Sequence, residues 1–103
     1  MNLDKLETSE KVVEVHEVVG VWEFRIDGFD EKLRIKVYRT SNRDFPYWGR
    51  ANFWVKSSKQ ASPYLAVNSQ ETIQEAIIEA LSGFLLFHDP NDPDMRYIPV
   101  DDW

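Results

Sequence analysis

Cysteine is absent, and glycine is scarce, with four residues in 103. The first absence removes disulfide scaffolds, thiolate zinc sites and cysteine nucleophiles together. The second leaves no G-x-G-x-x-G and no Walker pattern, so phosphate-cradling loops are excluded. Long hydrophobic runs are also missing. The longest, as at 84–87, is four residues, against the ~20 that span a bilayer. The opening M-N-L-D-K-L-E-T-S-E-K is polar and lacks the apolar core of a secretory signal. With no cysteine, that leads to the expectation of a cytoplasmic protein with no membrane partner. Catalytic signatures are lacking too. No G-x-S-x-G, H-E-x-x-H or H-x-E motif occurs, so neither an activated nucleophile nor a metal set is visible.

Positive charge is the remaining scarcity, with 12 Lys and Arg against 18 Asp and Glu for a net charge of −6. The cations are not evenly spread. Nine of them fall within residues 24–59, opposed there by only four acids. That window carries an excess of five positive charges, while three cations and fourteen acids elsewhere leave eleven negative. Tyr38, Tyr47, Trp48 and Trp54 lie in the same window.

With 43% hydrophobic residues, the chain can bury roughly two-thirds of its unfolded surface as one domain, 1–103. Residues 1–10 are polar and expected to be frayed; 11–67 read as sheet, 69–88 as helix and 90–103 as an acidic tail packed on the body. Val12, Val13, Val15, Val18 and Val19 favour a strand over 11–21. The broken alternation near Glu17 leaves a bulge or a helix open. Trp22, Phe24 and Ile26 alternate with polar neighbours, and Asp27-Gly28-Phe29-Asp30 reads as a hairpin turn. On the return strand Leu33, Ile35 and Val37 point one way and Arg34, Lys36 and Tyr38 the other. A strand over 47–57 sets Ala51, Phe53 and Val55 against Trp48, Arg50, Asn52, Trp54 and Lys56.

The helix is announced by Asn68 and Glu71 as a capping box, with Ser69 an alternative cap. Ile73, Ala76, Ile77, Ala80, Leu81, Phe84 and Leu85 form its apolar stripe, and Asp89-Pro90 stops it. These elements predict an α+β fold in two layers: a three- to four-stranded antiparallel sheet with one C-terminal amphipathic helix packed on one face.

The opposite face then carries the candidate binding residues Arg34, Lys36, Tyr38, Trp48, Arg50, Trp54 and Lys56. Arginine and aromatic side chains are enriched at binding hot spots, so a protein partner or a second copy of the chain is expected there. Single-stranded nucleic acid is the alternative, with bases stacking on the rings, although a net charge of −6 repels a polyanion. A third reading needs no ligand: the tail covers Trp48 and Trp54, and acids within 89–102 neutralise the basic strands. No cofactor, metal or catalytic residue is expected. His16 lies among valines and glutamates and His88 beside Asp89, but no catalytic motif accompanies either, and His88 at a helix end suits a charge–dipole placement. H-D-P-N-D-P-D at 88–94 alternates oxygen ligands without the glycine and distal glutamate of a calcium loop.

Residues 72–81, T-I-Q-E-A-I-I-E-A-L following several short strands, resemble the strand-then-helix segment of HicB-like antitoxin domains, in which an acidic helix follows a three-stranded sheet. The likeness covers about a tenth of the chain. The apolar-proline-glycine stretch usual in that family is replaced here by K-Q-A-S-P at 59–63. No functional residue carries across. The resemblance implies a small non-enzymatic regulator.

Overall fold

The computed structural model describes residues 16–41, 43–66 and 68–103. The part of the expected first strand at 11–15, like the expected fraying of 1–10, lies outside them. Among the described residues, six strands, β1 (Glu17–Arg25), β2 (Lys32–Arg39), β3 (Tyr47–Ala51), β4 (Phe53–Lys56), β5 (Ser69–Gln70) and β6 (Arg96–Pro99), accompany one helix, α1 (Ile73–Phe87). Four strands form an antiparallel sheet in the order β1-β2-β3-β5, and β4 pairs with β6 in a second, two-stranded sheet. The fold is α+β, with α1 packed on one side of the larger sheet.

Period-two burial builds the interface between the layers. Leu33, Ile35 and Val37 of β2 are fully buried, and Ala51, Phe53 and Val55 continue that core with Ala76, Ala80 and Phe84 of α1. Phe29, in the β1–β2 turn, packs edge-on to Phe53 with ring centroids 5.1 Å apart. Gly28 makes the turn at φ 80°, a conformation that favours glycine. At Gly49 the helix lies close against β3. A Cβ there would sit 2.6 Å from the carbonyl oxygen of Ala76, so only glycine on β3 and alanine on α1 let the backbones come so near.

Several expected boundaries move. The strand expected over 47–57 is broken at Asn52, because the chain changes sheets there. The helix begins at Ile73 rather than 69: residues 69–70 pair with β3, and Thr72 is the N-cap, its hydroxyl accepting from the Glu75 N–H at 3.1 Å. The T-x-x-E spacing 72–75 thus replaces the expected Asn68/Glu71 box. Leu85, assigned above to the apolar stripe, is 44% exposed. Gly83 and Phe84 take the inward positions of that turn.

Candidate basic-aromatic sheet face

Strand register brings five of the seven candidate residues together. Arg34, Lys36 and Tyr38 project from β2 on the side away from Leu33, Ile35 and Val37. Trp48 and Arg50 do the same on β3, opposite to buried Gly49 and Ala51. Tyr38 is the cross-strand partner of Trp48, and Lys36 of Arg50. The Tyr38 and Trp48 rings stack at 4.5 Å with an interplanar angle of 17°. His16 meets both rings edge-on, at 6.0 and 5.8 Å. Its part in this platform was hidden, because only the folded register brings residue 16 beside 38 and 48. Val18 and Val21, about half exposed, extend the face onto β1 through their pairing with Tyr38 and Lys36.

Charge on the face is compensated unevenly. Glu23 accepts from Arg34 Nε at 3.2 Å and lies 3.6 Å from Lys32, while Glu17 pairs with Arg39. Both glutamates precede the basic window, and such exposed pairs contribute only about 0–1 kcal/mol each. Lys36 and Arg50 form no ion pair with a carboxylate side chain among the described residues. What reaches them is Trp103. Its indole N–H donates to the Arg50 carbonyl at 2.8 Å, its ring centroid lies 4.3 Å from Lys36 Nζ, and the Lys36 ammonium donates to its main-chain oxygen. The tail therefore meets the basic face through an indole. Asp101 and Asp102 stay exposed.

Trp54 and Lys56 are placed elsewhere, and Asn52 is the cause. In an unbroken ladder the Arg34 N–H would donate to the Asn52 carbonyl. Here it donates to the Asn52 side-chain oxygen at 2.8 Å, and the side-chain amide donates to the Lys32 carbonyl at 3.2 Å. The released main-chain carbonyl accepts from the Val100 N–H at 2.9 Å. Strand β4 is thereby handed from β2 to β6. Trp54 then pairs with Ile98, and Lys56 with Arg96. Lys56 and Arg96 line an open cavity of about 470 Å³ together with Ser58, Pro93 and Asp94. Trp54 is 36% exposed, and neither it nor half-buried Trp48 belongs to the core.

His88, the helix C-cap, ties three elements together. Its Nε2 lies 2.7 Å from the Asp27 carbonyl and its Nδ1 bonds the Tyr97 hydroxyl. A carbonyl can only accept, so Nε2 carries a proton and donates it to Asp27. From the helix end where the sequence placed it, His88 thus bridges the β1–β2 turn, α1 and β6. Burial, with a lesser contribution from Asp89, raises the Tyr97 phenol above its ordinary value. Asp92 accepts from the Ser58 and Asp94 N–H groups, which holds its carboxyl below the usual range. Among the described residues no group of three metal-ligating side chains occurs, and no helix is long and apolar enough to cross a membrane.

No protein-family model, curated protein or solved structure matches the chain. The likeness of residues 72–81 to the HicB-like helix thus has no family match behind it.

Proposed function

We propose that the chain is a small non-catalytic binding or regulatory module of the cytoplasm that docks a protein partner, or a second copy of itself, on the outward face of its four-stranded sheet. The observation that carries this reading is the stacked Tyr38–Trp48 pair flanked by Lys36 and Arg50. Two rings held by strand pairing lose little conformational freedom when covered, and they supply most of the apolar contact. The cations orient the partner and raise the encounter rate. Arg34 sits at the rim of this patch. Trp54 and Lys56 join the contact where a partner reaches past the bend at Asn52.

A photo-activatable residue at position 34 tests the reading. Cross-linked adducts, with another protein or as a covalent dimer, are expected from that site and not from position 82 on the exposed side of α1. Equal adducts from both sites, or none from position 34, would overturn it. The same stacked rings favour one alternative, single-stranded nucleic acid. Saturable binding of a labelled oligonucleotide at low salt, lost steeply as salt rises, would establish that alternative in its place.

A further inference from the structure

The outward face already holds one occupant, and its chemistry describes what the face accepts. Residues 100–103 read Val-Asp-Asp-Trp. Val100 is tied to Asn52, and the chain then turns through Asp101 and Asp102. Asp102 has φ 56° and is the non-glycine residue with positive φ among those described. This left-handed conformation is unfavourable for a side chain with a Cβ. It persists here together with the delivery of Trp103 to the sheet. Three contacts await it: an acceptor for the indole N–H at the Arg50 carbonyl, an ammonium over the ring, and the same ammonium on the main-chain oxygen.

We infer that this face is a docking site for an acidic linear segment of a partner protein that presents a tryptophan, with Trp103 as the tethered competitor. The inference rests on the docking-face reading above and specifies its partner. An indole satisfies both the Arg50 carbonyl and the Lys36 cation. Carboxylates beside it, like Asp101 and Asp102, suit a face on which Lys36 and Arg50 lack carboxylate side-chain partners among the described residues. One repeat further along β2 and β3, ~7 Å away, the Tyr38–Trp48 platform offers a stacking surface to the next residues of an incoming segment. A longer segment therefore engages more of the face than residues 100–103 do.

The test uses the full chain and a fluorescein-labelled Val-Asp-Asp-Trp peptide, read by anisotropy. Because a short tether gives the internal tryptophan an effective concentration of order millimolar, Trp103→Ala is expected to bind the peptide at least ~10-fold more tightly than wild type. Adding Lys36→Ala should reverse that gain, and Val-Asp-Asp-Ala should not bind. Should Trp103→Ala unfold, Trp103→Phe, which keeps a ring and loses the N–H donor, is expected to show the same direction. Equal affinity of wild type and either folded variant, no binding to either, or indifference to Lys36→Ala would overturn the inference. Adducts from position 34 alongside absent peptide binding would reject the tryptophan segment and leave the docking face standing. Loss of both would remove both.

Discussion

At the scale of single residues, Asn52 decides where one sheet ends and another begins. Its side chain replaces its own carbonyl in the β2 ladder, and the carbonyl so released receives Val100. Asn52→Ala leaves the Arg34 N–H and the Lys32 carbonyl without those partners. It is expected to lower stability in urea by about 1–2 kcal/mol. Asn52→Asp, which retains the acceptor and loses the donor, should cost less. The second residue-scale prediction concerns Tyr97. Its phenol ionises at a higher pH in the folded chain than in the unfolded one, for which the ordinary value is about 10. The unfolded state therefore releases its proton first, so this stabilisation is complete below about pH 10 and lost as pH rises through the folded value. Melting curves at pH 8, 10 and 11 should show a smaller alkaline loss for Tyr97→Phe than for wild type.

At the scale of elements, the contact of α1 with β3 depends on an absent side chain. Gly49→Ala would place a Cβ against the backbone of Ala76, and backbone has little room to yield. A loss of about 1–3 kcal/mol is expected from such overpacking. Thr72→Ala removes the hydroxyl that caps the Glu75 N–H and should cost about 1 kcal/mol. Denaturant unfolding of the two variants checks both. The capping box expected at 68–71 has sound local chemistry, but pairing of residues 69–70 with β3 takes that segment into the sheet first. The strands β1 and β2 were legible because their alternation needs no tertiary information. The break at 52 was not, since it arises from two hydrogen bonds to residues 18 and 20 positions away in the chain and one to residue 100.

At the scale of the whole molecule, fold and binding face are separable. Lys36 and Arg50 project away from the core, so Lys36→Glu with Arg50→Glu is expected to keep the fold and cost about 1–2 kcal/mol, from the lost Lys36–Trp103 contacts and two like charges set opposite each other. The same pair should abolish cross-linking from position 34. A large fall in the urea midpoint would show instead that the face is part of what holds the molecule together.

From the sequence by itself came the α+β class, the inward set Leu33, Ile35 and Val37, and the gathering of cations and rings in one window. Periodicity and composition are local properties that survive any tertiary arrangement. Only the folded structure decided which of those rings meet, because cross-strand partners depend on register and sheet membership. Register placed Tyr38 on Trp48 and brought His16 to them; the Asn52 switch carried Trp54 and Lys56 to a second sheet; and the turn at Asp102 laid Trp103 between Lys36 and Arg50.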